Sequence, residues 1–223
     1  MFNRLQSFGC SFTYGQGLSD CFHIENSIDP SKDNYTPPSK FAWPAQLAEN
    51  LSIQHTNNSQ PGSSNKYILY KILEADIESS DIVAIMWTSF IRHSVIIDKQ
   101  NHMITPWRKD DSATLSYYSF LYNAHDSEIT NVQYINYANL YLKSKGCKVL
   151  NFCFFNNMEK SSMQSRLDNY SWNNVFIDIV FDDFIKHGLS KDNSHPSESA
   201  HKAFSTRSSK YIKNSLTNIA DML

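Results

Sequence analysis

The chain lacks most features that would place a protein at a glance. Its longest apolar runs, Ile82 to Trp87 and Phe152 to Phe155, fall far short of the roughly 20 residues a membrane-spanning helix needs. Arg4 and Leu5 lead directly into a strand-like segment, so no apolar secretory core follows the N-terminus. The expectation is a soluble, cytoplasmic protein with no signal peptide of its own; export within a larger assembly stays open. Charge of one sign is missing too. Twenty Lys and Arg against 22 Asp and Glu give a net charge of −2, which offers no pull on nucleic acid or an anionic membrane. No glycine-rich Walker pattern is present, so no phosphate loop is expected. The four cysteines, Cys10, Cys21, Cys147 and Cys153, contain no CxxC pair, which argues against a zinc or thioredoxin-like site. Internal repeats and low-complexity tracts are also absent. Asp192, His195 and His201 are the one set that resembles metal ligands, but a helix after Pro196 would carry His201 away from the other two. No metal or cofactor is expected.

What is present suits one large domain over residues 1–223. Apolar residues make up 41% of the chain, enough for a sizeable core. Aromatics are frequent, with 14 Phe, 12 Tyr and 4 Trp; some must reach the surface, where they could stack on sugars or wall an acyl pocket. Strand-like segments at 4–8, 52–56, 81–87, 147–155 and 175–180 alternate with helical patterns at 41–51, 65–79, 116–145 and 198–219. The run from Asp81 to Trp87 is apolar almost throughout, as expected of a strand buried on both faces of a parallel sheet. Ser63 or Ser64 is placed to cap the helix from Asn65, and Gly146 to close the one before it. Residues 15–40 read as a long loop insertion, and 88–113 and 156–174 as irregular. This alternation predicts an α/β sandwich with a mostly parallel sheet, whose ligands bind beyond the carboxyl ends of the strands.

Chemistry concentrates at the two ends. Phe8-Gly9-Cys10-Ser11-Phe12-Thr13 puts a serine just after the first strand, where a glycine allows a tight turn. Asp192-Asn193-Ser194-His195-Pro196 puts a carboxylate three residues before an imidazole, ahead of the last helix. A serine hydroxyl is a poor nucleophile until a base takes its proton and a carboxylate fixes that base. Ser11, His195 and Asp192 supply those three parts. Gly62, in the turn at Pro61-Gly62, and Ser89, just beyond the third strand, fall at the same rim.

In these blocks the sequence resembles the SGNH hydrolases, the GDSL esterase/lipase family. Gly9-Cys10-Ser11-Phe12-Thr13 is similar to the family's first block, with Cys10 where an aspartate usually stands and Phe12 where a leucine does. Asn58-Ser59-Gln60-Pro61-Gly62-Ser63-Ser64-Asn65 is similar to the second, and Asp192-Asn193-Ser194-His195-Pro196 to the last. The resemblance implies a three-layer, flavodoxin-like sandwich of about five strands. It implies Ser11, Asp192 and His195 as the triad, with the backbone N–H groups of Ser11 and Gly62 in the oxyanion hole. The family's third block, Gly-x-Asn, has no counterpart: Trp87-Thr88-Ser89-Phe90-Ile91-Arg92 stands there without an asparagine. Ser89 is the expected substitute donor, with Thr88, Asn65 and Arg92 in reserve. Trp87, Trp107 and Tyr117 are candidates for lining a substrate cleft. The α/β-hydrolases share the order Ser, Asp, His, but they set the serine mid-chain in Gly-x-Ser-x-Gly, which Ser11 does not fit. The expected activity is hydrolysis of an ester, such as an O-acetyl group on a carbohydrate, through an acyl-enzyme. An O-acyltransferase, and a binding or structural protein with little turnover, stay open.

Overall fold

A computed structural model describes residues 2–21, 37–153, 175–177 and 186–220. Most of the 15–40 loop, the 156–174 stretch and the end of the 175–180 strand lie outside them.

Among the described residues, five parallel strands form the main sheet: β1 (Arg4–Phe8), β2 (Gln54–Asn57), β3 (Asp81–Trp87), β6 (Lys148–Cys153) and β7 (Val175–Ile177). Their spatial order is β2-β1-β3-β6-β7. The chain first moves outward from β1 to β2, then returns across to β3 and continues the other way. The rim between β1 and β3 is therefore the switch point where α/β sheets of this kind bind ligands. Arg4 pairs with Asp81 and Phe8 with Ile85, so the loops after β1 and β3 emerge side by side.

Alternation along β3 builds the three layers. Ile82, Ala84 and Met86 face one core, with Leu5, Trp43, Leu47, Phe152 and Phe204. Val83, Ile85 and Trp87 face the other, with Phe8, Ile68, Ile72, Ile135 and Leu142. All seven β3 residues are buried: Ile82 to Trp87 as their apolar run requires, and Asp81 in an ion pair with Arg4. Helices α2 (Trp43–Leu51) and α6 (Glu198–Ala220) cover the first face; α3 (Asn65–Glu74) and α5 (Ala124–Lys145) cover the second. Trp43, Phe152 and Phe204 pack with ring centroids 5.0–5.1 Å apart and ring planes inclined by 54–65°. Local chemistry sets the helix ends. Ser64 accepts the Tyr67 N–H at 3.3 Å to start α3, and Gly146, at φ 72°, closes α5.

The stretch 88–113 departs from the irregular segment expected of it. It contains an antiparallel hairpin, β4 (His93–Ile97) with β5 (Gln100–Ile104). Asp98 and Lys99 turn it with φ values of 49° and 65°, the two positive angles of a type I′ turn. Such turns usually advertise themselves with Asn-Gly or Asp-Gly, and Asp-Lys carries no such mark. The following segment holds a short α4 (Ser112–Ser116) and a π-helical turn, Tyr117–Leu121, before α5 begins at the Asn123 cap.

Candidate active site

Ser11 opens a four-residue helix, α1 (Ser11–Tyr14), immediately beyond β1. The carbonyl of Cys10 accepts the N–H groups of Thr13 and Tyr14. The N–H groups at the start of a helix have no intrahelical acceptor, and among the described residues the Ser11 N–H donates to no protein group. Gly9 is required by close approach: a Cβ there would stand 2.1 Å from Thr13 Oγ1. The tight turn expected before Ser11 thus depends on a bare α-carbon.

Asp192 and His195 sit on a small loop whose ends are tied by the Leu189–Pro196 bridge. The Ser190 N–H donates to the His195 carbonyl at 2.8 Å. Asp192 Oδ2 lies 2.6 Å from His195 Nδ1. Its other oxygen, Oδ1, accepts from Ser190 Oγ at 2.7 Å and from the N–H groups of Ser194 and His195 at 3.0 Å each. Partial burial opposes ionisation of this carboxyl. The donors from Ser190, Ser194 and His195 outweigh it and hold the group well below the usual carboxylate range. The loop therefore presents a fixed carboxylate to one ring nitrogen. Ser194 Oγ also lies 3.1 Å from Nδ1.

Two contacts join this loop to the Ser11 turn. The Phe12 ring meets the His195 ring edge-on, with centroids 5.5 Å apart. Gly17, six residues after Ser11, lies against Asp192. Ser11 and His195 share no direct hydrogen bond; the described partners of the ring are on its Nδ1 side.

Gly62 sits in its turn at φ 75°, beside Met103 of the hairpin; a Cβ there would be 2.6 Å from Met103 Sδ. The Gln60 N–H donates to the Gly9 carbonyl at 3.3 Å, tying this turn to the one that carries Ser11. Asn65 is fully buried, with Oδ1 accepting the Thr88 N–H at 2.8 Å and Nδ2 donating to the Thr88 carbonyl and Asn131 Oδ1 at 2.9 and 2.8 Å. Both amide hydrogens are spent, so Asn65 has none left for a substrate oxygen. The Thr88 hydroxyl is enclosed, with no partner among the described residues. Ser89 is partly exposed, and its Oγ accepts the Ile91 N–H at 3.4 Å. Arg92 stacks on Trp107, its guanidinium carbon 5.1 Å from the ring centroid.

The aromatic candidates divide. Trp87 has no exposed surface and donates its indole N–H to Asn151 Oδ1 at 2.8 Å. It is a core residue, which corrects the cleft-lining expectation: its position at the strand's end points it into the α3–α5 layer. Trp107 is 53% exposed. Tyr117 packs on His93, with centroids 4.9 Å apart. His201, weighed in the sequence only as a possible metal ligand, has a structural role. His201 is buried and accepts the Trp43 N–H at 3.0 Å through Nδ1, capping α2. Only the tertiary contact between α2 and α6 reveals that role.

No protein-family model and no curated protein sequence matches the chain. Solved structures do match in fold. An acetyl xylan esterase from the rumen bacterium Butyrivibrio proteoclasticus superposes with a TM-score of 0.60 at 12% identity, over 97% of this chain and 65% of that one. A family two carbohydrate esterase from Clostridium thermocellum, solved in complex with cellohexaose, gives 0.56 at 14%, over 96% and 65%. This chain thus spans just under two thirds of the length of both. A protein of the G-D-S-L family from Desulfitobacterium hafniense gives 0.53 at 13%, over 93% and 98%. The fold of this chain is the α/β fold of the GDSL and SGNH-type hydrolases.

Proposed function

We propose that this protein is a serine hydrolase acting on esters. The observation that carries the reading is the 2.6 Å contact between Asp192 Oδ2 and His195 Nδ1, on a loop that packs against the turn bearing Ser11. With Nδ1–H held by the carboxylate, Nε2 is left as the basic nitrogen. It takes the proton of Ser11 as the hydroxyl attacks the ester carbonyl, directly or through one water. Hydrogen bonds of this kind often close only in the substrate complex. Backbone N–H groups of Ser11 and Gly62, with Ser89, receive the oxyanion. The alcohol leaves with the proton carried by His195. Water, activated by the same nitrogen, then releases the acid from Ser11. Throughout, Asp192 stays ionised and stabilises the imidazolium.

A short acyl group on a carbohydrate is the substrate class we favour. It is supported by fold likeness to an acetyl xylan esterase and to a carbohydrate esterase solved with cellohexaose. The half-exposed Trp107 could stack on a sugar.

A second reading has its own support. The segment after β3 has no asparagine and leads into a hairpin, and loss of one oxyanion donor costs ~10²–10³ in rate. A fold kept for ester binding with little turnover is consistent with that.

Hydrolysis of p-nitrophenyl acetate and of longer acyl esters by the wild type and Ser11→Ala separates the two. Activity that falls to background in the folded variant, and declines with acyl length in the wild type, is expected. Equal rates in both proteins would overturn the enzyme reading.

A further inference from the structure

The turn after Ser11 carries a residue the chemistry has not yet used. Gly15 to Cys21 folds back on itself: the Gly17 N–H donates to the Cys21 carbonyl at 3.1 Å, and Leu18 to Gly15 at 3.2 Å. Ser19 Oγ donates to Glu198 Oε1 at the start of α6. This compact turn is pressed onto the Asp192 loop. A Cβ built on Gly17 would stand 2.5 Å from Asp192 Oδ2 and 2.6 Å from Ser190 Oγ, closer than real atoms approach. Gly17 also has φ 84°, which L side chains rarely adopt.

Neither contacting atom is free to give way. Asp192 is a short side chain held by hydrogen bonds from three donors on Oδ1. Ser190 Oγ is one of those donors, and its backbone N–H is tied to the His195 carbonyl. Moving the carboxylate away from position 17 breaks these bonds or displaces Oδ2, the oxygen that meets His195 Nδ1.

We infer that Gly17 and Ser190 are positioning residues for the Asp192–His195 pair. The bare α-carbon lets the Ser11 turn close on Oδ2, and the Ser190 hydroxyl fixes the carboxylate from the other oxygen. The catalytic significance of this arrangement rests on the esterase reading; the contact itself does not.

The test therefore uses a readout independent of turnover, the far-downfield proton resonance of a histidine Nδ1–H held by a carboxylate. Ser11→Ala, which cannot form an acyl-enzyme, should keep it. Gly17→Ala should shift or lose it, and Ser190→Ala should weaken it. Gly146→Ala is the control for backbone strain, since Gly146 has φ 72° and its Cβ would meet nothing nearer than 3.6 Å; it should leave the resonance in place. Where ester turnover is measurable, Gly17→Ala should lower kcat more than it raises KM and move the pH profile of kcat/KM. Thermal melts of Gly17→Ala in the wild-type and Asp192→Ala backgrounds complete the cycle. Truncating Asp192 should relieve much of the destabilisation, or restore folding if the single variant does not fold. A Gly17→Ala protein with an unchanged resonance would overturn the inference, as would equal destabilisation in both backgrounds or failure to fold in both. An unshifted Gly17→Ala resonance rejects this inference alone, whereas equal esterase rates in wild type and Ser11→Ala reject only the esterase reading.

Discussion

Asn65 grips Thr88 by both edges. Its Oδ1 accepts the Thr88 N–H at 2.8 Å and its Nδ2 donates to the Thr88 carbonyl at 2.9 Å. A side-chain amide here does what a neighbouring strand would do, and it fixes the residue just beyond the end of β3. Asn131 on α5 completes the group, so Asn65 and α5 together hold the segment that follows β3.

Removing that amide should be costly. Asn65→Ala leaves the buried Thr88 N–H and carbonyl without partners, each worth about 1–3 kcal/mol. A destabilisation of ~2–6 kcal/mol is expected in denaturant unfolding. Stability within about 0.5 kcal/mol of wild type, the range of a neutral surface change, would show that water replaces the amide freely.

Asp192→Asn should leave the fold intact and slow ester hydrolysis by roughly 10²–10⁴. The amide cannot hold Nδ1–H as a carboxylate does and favours the wrong tautomer. Steady-state kinetics on a variant with wild-type circular dichroism checks this, and an unchanged kcat would remove Asp192 from the mechanism.

Ser89 is the remaining hydroxyl candidate for the third oxyanion donor. Ser89→Ala is expected to lower kcat by about tenfold, less than the ~10²–10³ of a full amide donor, with little change in KM. The contact should strengthen as charge develops on the oxygen. If kcat is unaffected and Ser89→Asn brings no gain, two backbone donors suffice.

Acid should weaken the protein through His201. Burial, with His195 adding to it, lowers the His201 pKa from 6.5 to about 3. Between those values the unfolded chain binds a proton that the folded one refuses. The stability this neutral ring contributes is complete above about pH 6.5 and is lost as the pH falls toward 3. The slope approaches 1.4 kcal/mol per pH unit. Thermal melts from pH 7 to 4 should show a shallower decline in His201→Gln, whose side-chain oxygen can still accept the Trp43 N–H. Parallel curves would refute the assignment.

Much of this was legible in the chain. The apolar run from Ile82 to Trp87 marked a central buried strand because a parallel sheet covered on both faces favours apolar residues at every position. Ser63 or Ser64, and Gly146, marked helix ends because orphaned N–H and carbonyl groups need those residue types. Asp192 and His195 lie three residues apart, so a single tight turn can bring their side chains together. What the linear order left undecided were relationships between distant segments. Trp87 looked like a cleft residue until packing with the α3–α5 layer put its indole against Asn151. The hairpin over Gly62 was hidden because Asp98-Lys99 turns the chain without glycine. Asn65 looked like a spare donor until the fold brought Thr88 and Asn131 to it across 23 and 66 residues of chain. Local chemistry depends on neighbours in sequence and can be read from them. Burial, and the partners that use up a hydrogen bond, are set when the layers close, and only the tertiary structure decides those.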